Sequence, residues 1–304
     1  MIKGFCKKLR RFFARVGLKF CSLIIGPLSL KRVYLVAKVF SQGALLFAAR
    51  QKRIALEGLR IAFGNKKSLK ELRSIRRECF LSMAKSGAEM VLLIKRPQSM
   101  KGRVSIEGRE NLDEALSKRR GVILVSAHFG NFPLMLTKLS SKGYKVNVIV
   151  RHMRDKKIEE YFEKVRRQLN IQSIHTQPRN ECIRKSIDTL RRSEILCIQL
   201  DQNFGAKGGV FVDFFGKRAA TATGPVIFSL RTKAPILPVF ISRQKDDTHK
   251  LIIEQELKLQ ERESYEETLI FNIQRITKII EDYICKYPSE WSWIHRRWKT
   301  QFHG

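Results

Sequence analysis

The chain has 304 residues, which is enough for one α/β domain with a sizeable core or for two small domains. Lys and Arg number 60 against 28 Asp and Glu, which gives a formal net charge of +32. This excess predicts an anionic partner from one of three classes: nucleic acid, an anionic membrane surface, or an acidic carrier or substrate. The six cysteines are scattered without a C-x-x-C pair, which argues against a disulfide framework or a zinc site and is typical of a protein facing the cytosol.

Residues 1–50 favour the membrane surface among these partners. Basic residues are dense before residue 16, and two uncharged runs follow, residues 20–30 and 39–49. Both runs are much shorter than the ~20 apolar residues that a helix needs to cross a bilayer. We therefore expect a membrane anchor, either an interfacial amphipathic segment or one tilted helix with Lys38 directed to the headgroups. Ordinary core helices are the alternative interpretation.

Residues 50–93 have helical periodicity throughout. One helix is predicted to end at Gly64. Another begins at Ser68, because Glu71 stands three residues later in the spacing of a capping box. Glu89 is interpreted as part of a solvated helix face and is assigned no function.

One later stretch has the order strand, turn, helix. The apolar residues 122–125 predict a short buried strand, and His128 follows it closely. Gly130 permits close approach of a substrate to the backbone, and Pro133 suits the start of a helix. A histidine just past the carboxyl end of a buried strand lies where open α/β sheets bind ligands. Its pKa near neutrality makes His128 a candidate general base, although a structural histidine fits the same pattern.

Two further strands place polar residues at the same edge of the predicted sheet. Residues 144–150 alternate as a strand, and Arg151 and His152 follow it as cations suited to a phosphate or an acidic carrier, or as a solvated basic turn. Residues 195–200 predict a third buried strand, which ends at Asp201. An acid at this point lies on the same rim as the histidine.

These stretches resemble the late (lauroyl/myristoyl) lipid A biosynthesis acyltransferases, a branch of the lysophospholipid acyltransferase superfamily. The run His-Phe-Gly-Asn-Phe from His128 resembles their catalytic block. The run D-Q…G-x-F-V-x-F-F-G…A-x-T-x-x-G from Asp201 resembles the next two blocks and is the most specific stretch. The run A-P-x-L-P-V-F from Ala234 and the closing W-x-W-x-H-R-R-W-K from Trp291 resemble the remaining signatures. The resemblance covers residues 50–299.

The resemblance implies an α/β fold with a mixed, mostly parallel central sheet flanked by helices in residues 51–304, preceded by a helical membrane-associated region in residues 1–50. It implies acyl carrier protein as the acyl donor and a hydroxyl of a lipid A precursor or related glycolipid as the acceptor. The implied location is the cytoplasmic face of the bacterial inner membrane. Direct transfer, in which His128 removes the hydroxyl proton, requires no cofactor and no metal. The positive charge agrees, since acyl carrier proteins and phosphorylated headgroups are anionic.

The matching blocks also imply the site residues. His128 and Asp201 are expected to be catalytic. The phenylalanines of the second block are expected to form an apolar wall for an acyl chain, its threonines a helix cap, and the closing tryptophans a contact with the lipid–water interface. The residues expected to bind substrate are Phe129, Gly130, Asn131, Arg166, Gln202, Phe214, Phe215, Gly216, Thr221 and Thr223.

The catalytic block departs from the family pattern at one position. The family has an acid five residues after the histidine, and Pro133 stands there. Proline can neither orient an imidazole nor stabilise its cation. Three outcomes are open: another acid, Asp201 or Asp213, replaces it, His128 acts alone and more slowly, or the chain binds lipid without catalysis. We favour Asp201, because it and His128 are both expected to end neighbouring core strands.

Other functions remain as alternatives. One alternative acceptor is another membrane lipid, of the aminolipid or phosphoinositol mannoside type, and one alternative function is that of a non-catalytic lipid-binding module. A nucleic-acid binder would owe its positive charge to phosphate contacts. No known nucleic-acid motif is present, and the ordered blocks at the strand ends count against this class, so no nucleic-acid partner is expected.

Overall fold

A seven-stranded sheet and a separate two-stranded hairpin form the centre of the computed structural model, which describes residue 17, residues 23–205 and residues 208–302. The strands are β1 (Val104–Glu107), β2 (Val122–Ser126), β3 (Val146–Val150), β4 (Ile171–His175), β5 (Ile195–Gln199), β6 (Gly209–Phe214), β7 (Lys217–Ala222), β8 (Ile236–Arg243) and β9 (His249–Ile253). The large sheet has the order β1-β9-β8-β2-β5-β3-β4. All its neighbours are parallel except β8 and β9. The predicted mixed, mostly parallel sheet is confirmed.

Helices cover both faces of this sheet. They are α1 (Leu30–Phe47), α2 (Ala49–Phe63), α3 (Leu69–Lys95), α4 (Arg109–Ser117), α5 (Phe132–Ser141), α6 (Lys156–Gln168), α7 (Arg179–Arg191), α8 (Gly224–Thr232) and α9 (Tyr265–Lys286). The end of α2 before Gly64 and the capping box between Ser68 and Glu71 are both confirmed. The helical pattern and its caps were therefore readable from local sequence.

The central strand β2 is buried along its whole length. Ile123 and Val125 pack into the core on one face of the sheet, and Val122 and Leu124 pack into the core on the other. A parallel strand covered on both faces needs this continuous apolar sequence, since alternate side chains point to opposite cores. The rigid position of β2 fixes the point at which the following residues leave the sheet.

The N-terminal helix α1 packs against α3. Val33 and Ala37 are buried against Ala88 and Leu92. The opposite face of α1 leaves large apolar side chains exposed, and Phe47 at its end is 90% exposed. Within the described residues no individual helix has the length and apolarity of a membrane span, whereas α1 and α2 meet the length and composition criteria only as a pair bent by 93°. The basic segment before residue 16 lies outside the described residues.

The segment expected to form an apolar wall and a helix cap forms a β-hairpin, with the cap after it. Phe214 pairs with Lys217, and Phe215 and Gly216 between them form a two-residue turn with positive φ angles of 56° and 71°. Such a turn normally carries Asn-Gly or Asp-Gly, so a phenylalanine in this position gave no hairpin signal. Thr221 belongs to β7, and Thr223 precedes α8 without a side-chain capping bond. Thr223 is therefore the N-cap residue of α8, as predicted, with a proline in the first turn, whereas Thr221 takes no part in the cap.

Candidate active site

His128 and Asp201 face each other just beyond two neighbouring parallel strands. Ser126 of β2 pairs with Gln199 of β5, so the residues two positions further along reach the same level of the sheet edge. His128 Nδ1 lies 2.8 Å from Asp201 Oδ1. The side chain of His128 is 28% exposed and that of Asp201 is fully buried. The expected contact between them is present, with Asp201 supplying the carboxylate that Pro133 cannot.

The contact decides the charge and the tautomer of the pair. Burial lowers the pKa of His128, but the Asp201 carboxylate outweighs burial and holds it above the ordinary 6.5. Burial likewise opposes ionisation of Asp201, but His128 and further donors hold the pKa of that carboxyl well below its usual range. An ionised Asp201 accepts the proton of Nδ1, which leaves the lone pair of Nε2 available as a base.

Gln202 occupies the free side of the imidazole. Its Nε2 lies 3.1 Å from His128 Nε2, so the amide N–H donates to the basic nitrogen. Arg297 holds the backbone of the same turn, since its Nη1 donates to the carbonyl oxygens of Gln202 at 3.3 Å and Ala220 at 2.6 Å. Its Nη2 donates to Thr221 Oγ1 at 2.5 Å. Burial lowers the pKa of Arg297 to about 10, and its hydrogen bonds fix the turn after β5 to the hairpin.

The C-terminal segment supplies the remaining neighbours of Asp201. Trp291 Nε1 donates to Asp201 Oδ2 at 2.8 Å. His295 Nε2 lies 3.8 Å from the same oxygen, and burial lowers the pKa of His295 and so favours its neutral form. Trp291 and Trp293 are each 1% exposed. The expectation that these two tryptophans meet the lipid–water interface was wrong, because one binds the site carboxylate and both are packed in the core.

The loop after His128 is fixed to the same C-terminal segment. Phe129 forms an isolated antiparallel bridge with Trp291. Gly130 N donates to Glu290 O at 2.8 Å. At the positive φ of Gly130, 55°, an added Cβ would lie 1.9 Å from Ile241 O, so only glycine fits this turn. This loop, residues 129–131, which we call the catalytic loop because it follows the candidate base, therefore has little freedom to move relative to β8.

A buried ionic network lies under this loop. Glu89 of α3 is fully buried, and its carboxylate accepts hydrogen bonds from Asn131 Nδ2 at 2.8 Å, Tyr34 Oη at 2.7 Å and Arg243 Nη2 at 2.9 Å. His249 Nε2 lies 3.1 Å away. Burial raises the pKa of Glu89, but these partners outweigh burial and lower it to about 2. Asn131 also caps α5, because its Oδ1 accepts from Leu134 N at 3.2 Å.

The interpretation of Glu89 as a solvated residue was wrong. A signal for its burial was present in the sequence, because Glu89 lies between Ala88 and the apolar run 90–94. A charged residue inside such a run needs several hydrogen-bond partners. These partners come from α1, β8, β9 and the catalytic loop, which are distant in sequence, so their identity required the structure.

A cavity of about 890 Å³ has His128 in its wall. Pro133 and Gln202 also line it. Most of its remaining wall is apolar and includes Leu136, Phe162, Val165, Ile198, Ile227 and Phe228. The cavity also meets the guanidinium-bearing residues Arg151, Arg166 and Arg179. This is the composition of a site for a long apolar ligand with an anionic end.

The residues expected to bind substrate fall into two groups. Arg166, Gln202 and Thr223 line the cavity. Arg166 also donates to Ser173 Oγ at 2.6 Å and Glu163 Oε1 at 2.8 Å. The residues that do not line the cavity are the buried Phe129, Asn131, Phe214 and Thr221, the turn residues Phe215 and Gly216, and Gly130. For this second group we replace substrate contact with a supporting role, since their contacts hold the catalytic loop and the hairpin.

One cluster among the described residues has the spacing of metal ligands. His152, Glu159 and His175 bring potential ligand atoms within 4.8 Å of one another. The two imidazole rings are stacked with an interplanar angle of 2° and centroids 4.1 Å apart. One ion cannot lie in the planes of two parallel rings, and His152 Nδ1 is already 2.7 Å from Glu159 Oε1. We assign no metal to this cluster.

Comparison with known proteins agrees with this geometry. A family model described as bacterial lipid A biosynthesis acyltransferase matches residues 8–300. The lipid A biosynthesis palmitoleoyltransferase of Escherichia coli (strain K12) is 26% identical over 261 residues, which are 84% of this chain and 81% of that protein. The myristoyltransferase of the same organism is 24% identical over 257 residues, 83% of this chain and 76% of that protein. Its lauroyltransferase is 24% identical over 200 residues, 65% and 62% of the two chains.

The match spans the catalytic loop, the strand that ends at Asp201, the hairpin and the C-terminal segment. The resemblance inferred from the sequence blocks is confirmed, and the chain is an acyltransferase. The chain belongs to the bacterial lipid A biosynthesis acyltransferase family.

Proposed function

We propose that this enzyme moves a fatty acyl group from acyl carrier protein to a hydroxyl of a lipid A precursor or a related glycolipid, with His128 as the general base. The observation that carries the proposal is the His128–Asp201 pair in the wall of an apolar cavity of about 890 Å³. A cavity in the ~300–1,000 Å³ range is typical of sites that enclose a ligand. Its apolar wall suits an acyl chain, and His128 suits the reacting end.

The pair performs the proton transfers of a direct acyl transfer. The hydroxyl of the acceptor donates to His128 Nε2 and loses its proton as its oxygen attacks the thioester carbonyl carbon. The new C–O bond forms while the carbonyl electron pair moves onto its oxygen. The C–S bond then breaks, and the departing thiolate takes the proton back from Nε2. Asp201 stays ionised throughout and stabilises the transient imidazolium.

The cationic rim of the cavity favours anionic substrates. Arg151 and Arg179 line the cavity, and no carboxylate partner is seen for either within the described residues. Guanidinium groups bind phosphate in a planar, two-point geometry. Both the phosphate-linked prosthetic group of a carrier protein and a phosphorylated glycolipid match this rim. The relatives are named for three different acyl groups, palmitoleoyl, myristoyl and lauroyl. Membership of the family therefore does not specify the length of the acyl chain that this enzyme transfers.

We place the enzyme at the cytoplasmic face of the inner membrane. The exposed face of α1 carries Leu35, Val39, Phe40, Leu46 and Phe47. Lys31, Arg32 and Lys38 lie on the same helix. Apolar side chains beside basic ones favour an interfacial position on an anionic leaflet. The opposite face of α1 is already buried against α3, so the exposed face is the one available to the lipid surface.

The direct test is His128→Ala assayed with an acyl carrier protein thioester and a lipid A precursor. Transfer should be lost, while the melting temperature and binding to anionic vesicles stay close to those of the native chain. Turnover at the native rate would refute the mechanism. Mass spectrometry of membrane lipids after deletion of the gene identifies the acceptor, because the affected species loses one acyl chain of defined length.

A further inference from the structure

The Gln202 amide occupies the position that the acceptor hydroxyl must take. Its Nε2 lies 3.1 Å from His128 Nε2, on the side of the ring away from Asp201. A hydroxyl that is to be deprotonated must donate to the same lone pair at a similar distance. The amide and the hydroxyl cannot both occupy it. Binding of the acceptor therefore moves the Gln202 side chain while His128 stays in place.

The movement is confined to the side chain of Gln202. The backbone carbonyl oxygen of Gln202 accepts a hydrogen bond from Arg297 Nη1, and the side chain of the preceding Asp201 is held by His128 and Trp291. The side chain itself is half-buried and lies in the cavity wall. Rotation about its side-chain bonds keeps the displaced amide beside the reacting atoms, because its backbone cannot follow.

We propose that the displaced amide N–H of Gln202 donates to the carbonyl oxygen of the thioester as negative charge develops on it. This inference rests on the proposed function, since it requires His128 to act as the base. The attacking oxygen forms the new C–O bond, the carbonyl electron pair becomes the oxyanion that Gln202 binds, and the proton goes to His128. When the C–S bond breaks, the electron pair returns from the oxyanion to the carbonyl bond, the departing thiolate takes the proton from His128 Nε2, and Gln202 resumes its bond to the neutral imidazole.

Three other donors near the site are already engaged, whereas Arg151 and Arg179, which also line the cavity, are assigned above to the anionic groups of the substrates. Arg166 donates to Ser173 and Glu163. Asn131 Nδ2 is bound to Glu89, and Gly130 N donates to Glu290 O. Gln202 differs from these donors because its partner is His128 Nε2. The acceptor hydroxyl must bind the same nitrogen, so its arrival frees the Gln202 amide. An N–H directed at the oxyanion accelerates related acyl transfers because it stabilises charge that is absent in the ground state.

The test uses Gln202→Met, which keeps the side-chain length and removes the donor, with Gln202→Ala as a second variant if the first does not fold. Removing one oxyanion donor lowers kcat by ~10²–10³-fold. We expect this loss in kcat with KM for the acceptor changed by less than a few-fold. Asn203→Ala is the matched control, because this neighbouring amide binds Thr300 instead of facing the cavity, and its kcat should stay near the native value.

The opposite result is equally specific. If Gln202 only blocks the imidazole, its removal lowers KM for the acceptor and leaves kcat unchanged or raised, and the proposal is overturned. His128→Ala measured in parallel separates the two proposals. An inactive His128→Ala beside a fully active Gln202→Met rejects the role of Gln202 alone, whereas an active His128→Ala rejects the proposed mechanism.

Discussion

Trp291 holds the Asp201 carboxylate from the side opposite His128. The indole nitrogen lies 2.8 Å from Oδ2, and His128 Nδ1 lies 2.8 Å from Oδ1. Both oxygens of a fully buried carboxylate are thus engaged, which fixes its plane and with it the orientation of the imidazole. The W-x-W-x-H-R-R-W-K segment therefore supports the proposed catalytic site, since its Trp291 donates a hydrogen bond to the carboxylate that orients the proposed base.

The first prediction concerns Asp201→Asn. The variant cannot stabilise the imidazolium, and loss of this support costs ~10²–10⁴-fold in rate in related constellations. The native pKa of His128 is raised above 6.5, so activity should increase with pH through that raised value as Nε2 becomes a free base. Without the carboxylate only the lowering effect of burial remains, so the acid limb of kcat/KM should move to lower pH. If the acid limb of kcat/KM lies at the same pH in Asp201→Asn as in the native enzyme, a group other than His128 controls it.

The second prediction concerns Glu89→Ala. Removing Glu89 takes from Arg243 its closest carboxylate and leaves only Asp247, 3.5 Å from Nη1, and breaking a buried ionic network in this way costs ~3–5 kcal/mol of unfolding free energy. Urea unfolding measures this directly. The control is Glu57→Ala, because the Arg53–Glu57 pair is largely exposed and contributes ~0–1 kcal/mol. Equal effects of the two substitutions would contradict the assigned contribution of the buried network.

The third prediction concerns acyl selection. Ala222 lines the cavity at the end of β7, and Ala222→Phe places an aromatic ring into the space available to the acyl chain. The variant should therefore lose activity toward long acyl thioesters while it retains activity toward shorter ones. A series of donors that differ only in chain length provides the internal control. A uniform loss across the series would show that the chain does not pass this residue.

The fourth prediction concerns membrane attachment. Phe40 and Phe47 are 64% and 90% exposed on the free face of α1. The double variant Phe40→Ser, Phe47→Ser should bind anionic vesicles more weakly, because each substitution removes apolar surface from the contact. Tyr265→Ser is the control, since this residue is 59% exposed and belongs to a different helix, at the start of α9. Vesicle co-sedimentation checks both; a native level of binding in the double variant would place the attachment elsewhere.

The sequence predicted the contact between His128 and Asp201 because each residue follows a buried strand that ends at the same level of the sheet. His128 and Asp201 each follow a continuous apolar strand, and parallel strands deliver their carboxyl ends to one edge. The partners of Asp201 on the other side were less accessible. Trp291 lies 90 residues away in the chain, so its hydrogen bond depends on packing rather than on any local period. The hairpin was missed for a different reason, since Phe215 takes a positive φ that residue preferences assign to other amino acids.

The network around Glu89 has a practical consequence for anyone who wishes to shorten this chain. Tyr34 in α1 donates to the same carboxylate that holds Asn131, three residues from His128. A fragment that starts at Ala49 would lose that hydroxyl and uncover Ala88 and Leu92. Deleting the apolar N-terminal segment to gain solubility would thus weaken the hydrogen-bond network that holds Asn131 and the loop after His128. Detergent or nanodisc preparations of the intact polypeptide are the better starting material for enzymology.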